Sequence, residues 1–225
     1  HPNKGGFMSS VTKNISPIID KNTIISGCTV STKLCENNDL FCLAFSMDTH
    51  TSISEEQYPF QHIYYVLQGS LTVNKTEEST IYPLQRGEAY IVPSRTVHAI
   101  HAPSDCIFLQ IGLLKENLMN TTIDIKGIFQ LKNLIPYQEG KIVNRDLIVT
   151  DNTRLAIIAL SKGTALSEHA APNEALLFAL EGEAVFTLDG VPYTLKAGDN
   201  LAMKKGAPHK LDATNNFKFA LLLTK

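Results

Sequence analysis

The chain has 225 residues, 44% hydrophobic and 19% charged, with a formal charge of −2. This is the composition of a packed globular protein rather than a disordered one. There is no surplus of Lys and Arg and no basic stripe interleaved with aromatics, which argues against a nucleic-acid partner. No apolar run reaches the roughly 20 residues that cross a bilayer, and the opening HPNKGGFMSS lacks the apolar core of a secretion signal, so a cytoplasmic protein with no membrane partner is expected.

His1 to Phe7 precede a methionine and read as residues outside the fold, so Met8 is taken as the start and His1 is set aside as a ligand. The segment ISPIIDKNTIISGCTVSTKLCENNDL opens the first unit. Beyond it, HIYYVLQG from His62, AYIVPS from Ala89 and CIFLQIGL from Cys106 are β-branched or aromatic runs of strand length, bounded by turn residues. Gly87 falls where the chain turns back, and Pro93 suits a strand end that needs no amide donor. The polar stretch after Leu113 is read as a linker with a helical turn near Leu114 to Met119. It sets a boundary near residue 120 and two domains, 8–119 and 120–225. IPYQEGKIVNRDLIVTDNT then opens the second unit. VFTL, Asp189-Gly190 and VPYTL form a hairpin signal, since Asp-Gly suits the positive φ angles of a type I′ turn. KFALLLTK closes the chain. No stretch shows sustained helical periodicity, so the fold class is all-β. Cys28, Cys35, Cys42 and Cys106 are too widely spaced for a CxxC motif and are read as reduced, buried small hydrophobes.

These elements repeat. The segment from Leu43 to Gly69 matches, without a gap, a later segment that ends at Gly182; Ser54, Glu55, Pro59 and Leu67 meet Ser167, Glu168, Pro172 and Leu180. A longer first hairpin then interrupts the frame. It locks again at Gly87 to His98 and Gly198 to His209, each spanning 11 positions. A gapless frame with a second shared spacing points to two copies of one small barrel.

Copy two carries Gly163, His169, Glu181-Gly182, Gly198 and Gly206-Ala207-Pro208-His209; copy one carries YVLQG ending at Gly69, then Gly87, Pro93 and His98. These strings resemble the two motifs of the cupin superfamily, from about residue 20 to the end. The resemblance implies two tandem double-stranded β-helix, or jelly-roll, barrels: a bicupin. It also implies a site of three His and one carboxylate or amide holding a divalent transition metal such as Fe, Mn, Ni or Zn. The ligand positions depart from that pattern. Copy two has His169, Ala171, Ala175 and His209, and methyl groups offer no lone pairs, so Glu174, a substrate or water would have to help. Copy one has Glu56, Tyr58, His62 and His98, which could form a two-His, one-carboxylate set if Glu56 points inward. Residues two apart share a strand face, so Glu56 and Tyr58 should project together, and His101 should face away from His98.

Each set has a plainer reading. His169 with His209, and His62 with His98, could be hydrogen-bonded polar groups inside a barrel, with Glu56 at the rim. Tyr58, Tyr64 and Tyr65 could line a pocket or fill a core. Arg95 could meet an acidic ligand or serve as a solvated loop charge. Three functions stay open. A small-molecule-binding bicupin would hold a carbohydrate or organic acid through Tyr58, His62, His98, His169, Glu174 and His209. A metal-dependent isomerase, dioxygenase or lyase would use Glu56, His62 and His98. A ligand sensor is suggested by a likeness of copy one to arabinose-responsive regulators. Monomer and homodimer are both compatible with the sequence.

Overall fold

A computed structural model of the chain describes residues 17–120 and 122–225. The expected start at Met8 lies outside the described residues. A short helix, α1 (Pro17–Lys21), leads into nine strands: β1 (Thr29–Glu36), β2 (Leu40–Met47), β3 (Ser52–Glu56), β4 (Gln61–Gln68), β5 (Ser70–Lys75), β6 (Thr80–Gln85), β7 (Glu88–Val92), β8 (His98–His101) and β9 (Cys106–Leu113). The connecting segment holds β10 (Ile128–Gln130) and one 3-10 turn (Leu131–Leu134). Then come β11 (Ile142–Val149), β12 (Thr153–Leu160), β13 (Ala165–Ala170), β14 (Glu174–Leu188), β15 (Val191–Lys196), β16 (Asn200–Met203), β17 (Pro208–Asp212) and β18 (Phe217–Thr224).

The repeat is a repeat of strands. β1 and β2 start at Thr29 and Leu40, and β11 and β12 start at Ile142 and Thr153, so the offset between the copies is the same for both strands. By the last strand, β9 from Cys106 against β18 from Phe217, that offset has shortened by two. The difference arises in one hairpin. Residues 76–79 join β5 to β6, but only Asp189 and Gly190 make the matching turn, with φ of 50° and 78° as a type I′ turn requires.

In the first half the sheet β1-β2-β9-β4-β7 packs against the sheet β3-β8-β5-β6. Met47, Tyr64, Val66, Leu71, Val73, Leu84, Ile100 and Phe108 fill the space between. In the second half the 15-residue β14 runs through both sheets, pairing with β18 and β16 along its first part and with β15 and β17 along its second. The copies share a cradle at matching glycines. Gly69 has φ +72°, and a Cβ there would sit 1.8 Å from the Asp105 carbonyl oxygen; at Gly182 (φ +79°) it would sit 1.7 Å from that of Asn216. Only glycine allows that approach.

A third apolar layer joins the barrels. Along β4, Tyr64 and Val66 face the barrel interior, while Ile63, Tyr65 and Leu67 belong to a cluster that also holds Leu176, Phe178, Ala220 and Leu222 of the second half. Tyr65 and Phe178, which hold the same position in the two copies, meet edge to face at 6.4 Å. Burial on both faces explains why QHIYYVLQ and CIFLQIGL read as continuous apolar runs rather than alternating ones. The leading segments are exchanged. Helix α1 lies against β16 of the second half, where the Ile18 amide donates to Asn200 Oδ1 at 2.9 Å, and β10 pairs with β7 of the first half. Two facing loops lock the junction. Asn37 Nδ2 donates to Thr153 Oγ1 at 2.8 Å, and the fully buried Asp39 carboxylate accepts from Lys115 and Thr150.

Two expectations change. The helical turn of the connecting segment lies at Leu131–Leu134, not at 114–119, where Asn117 takes a positive φ of 56° and the Leu114 amide bonds to the Asp39 carbonyl. Cys42 and Cys106 are buried, but Cys28 is exposed in the turn before β1, and Cys35 is half-buried because β1 is an edge strand with one face open to water.

Candidate functional site

Strand alternation assembles a polar cluster inside the first barrel. His62 shares a face of β4 with Tyr64 and Val66, and His98 shares a face of β8 with Ile100, so both imidazoles point inward and both are 1% exposed. Their Nε2 atoms stand 3.3 Å apart, and the Tyr64 hydroxyl lies 3.0 Å from the Nε2 of His98. Opposite His98 in register is Glu56 on β3. Tyr58 donates its hydroxyl to Glu56 Oε2 at 2.6 Å, so the two side chains do project together. The Arg95 amide donates to the Tyr58 carbonyl, tying the turn before His98 to the segment carrying Tyr58; the Arg95 side chain is exposed. His101 turns the other way and bonds Ser52 through Nδ1 at 3.0 Å.

The proton inventory is short of partners. A carbonyl can only accept, so the 3.1 Å contact between His98 Nδ1 and the Thr96 carbonyl puts a proton on Nδ1 and leaves Nε2 of the neutral ring as a lone pair. Tyr64 O–H already points at that lone pair. If His62 carries its proton on Nε2, it competes for the same acceptor and its buried Nδ1, which has no partner, is left as a bare lone pair. If it carries the proton on Nδ1, that N–H lies toward the Phe60 carbonyl but falls short of hydrogen-bond geometry, and two lone pairs face each other. Either tautomer leaves His62 incomplete. Burial, reinforced by the neighbouring His98, lowers the His62 pKa to about 3, so the ring is neutral at physiological pH. Burial and the Glu56 carboxylate push Tyr58 up to about 12 and Tyr64 well above its ordinary value, which keeps both phenols protonated as donors.

The reading from residue types missed two members of this interior. Gln110, 4% exposed, follows Cys106 and Phe108 on the inner face of β9, and Lys75, 9% exposed, follows Leu71 and Val73 on that of β5. Lys75 stands opposite His98 in register and bonds Glu78 at 2.5 Å. Two-residue periodicity through LTVNK and CIFLQ is the signal that would have found both. A groove of about 280 Å³ lined by Pro59, Phe60, Pro93 and Ser94 opens beside the strand ends that carry His62 and lead to His98.

The second barrel repeats the geometry with less chemistry. His169 and His209 are register partners with rings 4.2 Å apart, and each Nδ1 meets the carbonyl two residues earlier, at 2.8 and 3.0 Å. His209 is largely buried and stacked on Phe186, and burial lowers its pKa; His169 is exposed. Ala171 and Ala175 take the positions of Tyr58 and His62. Glu174 is exposed on the rim and accepts from the Lys205 amide at 3.4 Å.

Among the described residues no group of three or more His, Cys, Asp or Glu side chains converges as a metal site. In the first barrel the two imidazoles come together, but Glu56, the carboxylate expected to join them, holds Tyr58. Two nitrogens fall short of the three protein ligands usual in catalytic zinc sites. As it stands the donor set does not fit a tightly held divalent ion.

Two stacked jelly-roll barrels with a buried imidazole pair in one of them define a tandem-barrel protein. The cupin domain family, Cupin_2, matches residues 45–112 and 156–224, and the chain belongs to that family. Its fold is similar to that of a Cupin 2 conserved barrel domain protein from Leptotrichia buccalis, at 26% identity and a TM-score of 0.77, covering 95% of this chain and 96% of that one. A salicylate 1,2-dioxygenase from Pseudaminobacter salicylatoxidans shares the fold at 11% identity and a TM-score of 0.59, covering 86% of this chain and 76% of that one. No curated protein matches the sequence. No helix among the described residues is long and apolar enough to cross a membrane.

Proposed function

We propose that the protein binds a small organic molecule, a carbohydrate or an organic acid, inside its first barrel. One observation carries this reading: the buried His62 Nδ1 has no hydrogen-bond partner, and its Nε2 shares the lone pair of His98 with the Tyr64 hydroxyl. An unpartnered buried polar atom costs about 1–3 kcal/mol, and an alcohol or protonated carboxyl O–H offered to a ring nitrogen would recover it. Tyr58 and Tyr64 supply aromatic walls and further hydroxyls, the usual makeup of a site that orients a guest with few polar groups. Thermal unfolding across a panel of sugars and hydroxy acids tests it. At a concentration about 100-fold above Kd a guest adds about 2.7 kcal/mol, and His98→Ala should abolish the shift. If no compound raises the melting temperature of the wild type, or the variant responds equally, the reading fails.

The metal-dependent enzyme reading rests on the same two convergent nitrogens and additionally requires Glu56 to release Tyr58. Elemental analysis of protein purified without chelators separates the two readings. A stoichiometric transition metal lost in both His62→Ala and His98→Ala would favour the enzyme.

A further inference from the structure

We propose that Cys35 and Cys42 form a peroxide-responsive dithiol that closes to a disulfide, stapling edge strand β1 to β2 at the junction between the barrels. This is independent of what the first barrel binds. The two cysteines are direct register partners across an antiparallel pair. Such partners have Cα atoms about 4.5–5.5 Å apart, within the roughly 4.4–6.8 Å that disulfides span. The Cys42 thiol and the Thr224 hydroxyl at the end of β18 both lie close enough to Cys35 to lower its pKa. A register shift between Lys33 and Cys35 breaks the ladder just before the pair, giving the backbone freedom to close the bond.

The second barrel provides an internal comparison. It has the same register shift, between Asp146 and Ile148, followed by the partners Ile148 and Leu155. The fold is thus built at this place without sulfur, so the two facing thiols are not required by the backbone geometry.

Roles follow from exposure. Cys35 is half-buried at the edge and within reach of a small oxidant, while Cys42 is fully buried and closed to bulky thiols. The hydrogen bond from Cys42 lowers the pKa of Cys35, favouring the thiolate that attacks. The same interaction is the main cause holding Cys42 well above its ordinary value. In the first step the Cys35 thiolate attacks a hydroperoxide oxygen: an S–O bond forms, the O–O bond breaks, and the departing alkoxide or hydroxide takes up, through solvent, the proton that the Cys35 thiol released on ionising. In the second step the Cys42 sulfur attacks the sulfenic sulfur: the S–S bond forms, the S–O bond breaks, and hydroxide leaves as water with the Cys42 proton. Two thiols are oxidised by two electrons and one hydroperoxide is reduced. Cys106, raised to about 12 by burial, stays out of this chemistry.

Trypsin cleavage after Lys33 and Lys75 gives one peptide that holds Cys35 and Cys42 and neither other cysteine. The full chain is treated with limiting hydrogen peroxide, quenched in acid, alkylated in denaturant and digested. We expect this peptide to become two hydrogens lighter and resistant to alkylation, to revert with dithiothreitol, and to do so about tenfold faster than the Cys28 peptide is modified. Cys42→Ser should stop at a sulfenic acid trapped by dimedone, with circular dichroism reporting its fold; the wild-type peptide mass decides the matter even if that variant is unstable. The inference is overturned if peroxide doses that modify Cys28 leave Cys35 and Cys42 alkylatable, or if oxidation appears only as Cys28-linked dimers.

Discussion

Removing the His62 imidazole should flatten the acid limb of the stability curve. In the unfolded chain this ring takes up a proton as pH falls through its ordinary value near 6.5, whereas the folded site resists until about 3, chiefly because the ring is buried and secondarily because His98 is beside it. A folded pKa below the unfolded one means stability that is complete above 6.5 and is lost as the pH falls toward 3. The slope approaches about 1.4 kcal/mol per pH unit. Integrated from about pH 7 down to about pH 5, the loss is about 2 kcal/mol, or about 4 to 8 °C in melting temperature for a chain of this size. His62→Ala introduces the residue that the second barrel already carries at Ala175, and it costs a cavity that does not depend on pH. Urea unfolding of both proteins at several pH values should therefore give curves that converge as the solution is acidified. Parallel curves would refute the reasoning, because they would mean that the folded imidazole pair accepts a proton under the same conditions as the unfolded chain.

Gly69→Ala and Gly182→Ala should each cost about 3 kcal/mol or more, since each adds a Cβ against a carbonyl oxygen at positive φ; chemical denaturation reads the loss, and a neutral result at either would contradict the shared cradle. Asp39→Ala should cost about 1.5–3 kcal/mol by removing the buried carboxylate that Lys115 and Thr150 bond at the junction, with a broadened unfolding transition if the barrels begin to separate. Leu131→Ala, which empties a site in the layer between the barrels, should cost about 2–5 kcal/mol, measurable in the same titrations.

The fold was legible in the sequence because its signals are local and doubled. The Asp189-Gly190 turn, the paired glycines and the spacing to His98 and His209 each report local backbone geometry, and the structure places the glycines and the two histidines at matching points of the two halves. The pairing of Glu56 with Tyr58 and the outward turn of His101 followed from two-residue periodicity alone. What was not legible depended on contacts between the halves. The exchange of α1 and β10 joins residues such as Ile18 and Asn200, 182 apart, and no local pattern encodes it. Lys75 is buried although its charge alone points to water, and only its place two residues after Val73 marks it as inward. Cys35 was misjudged because edge-strand exposure depends on sheet order, and sheet order is set by which strands meet.

The layer between the barrels leaves the two interiors free to differ. The outer face of the second barrel, through Leu176, Phe178, Ala220 and Leu222, covers apolar surface on β4 and β9 that would otherwise face water. β4 carries His62 and Tyr64 on its other face, and β9 carries Gln110. The second barrel therefore supports the first site from behind whether or not its own interior holds polar groups. Its contribution depends on the shape and hydrophobicity of its outer face, which Ala171 and Ala175 do not touch, since they lie in its inner cluster. The first barrel has the opposite constraint. Its inner face keeps two imidazoles and the Tyr64 phenol buried and close together, while β9 and β7 hold β4 in register and Tyr65 packs against Phe178 behind it.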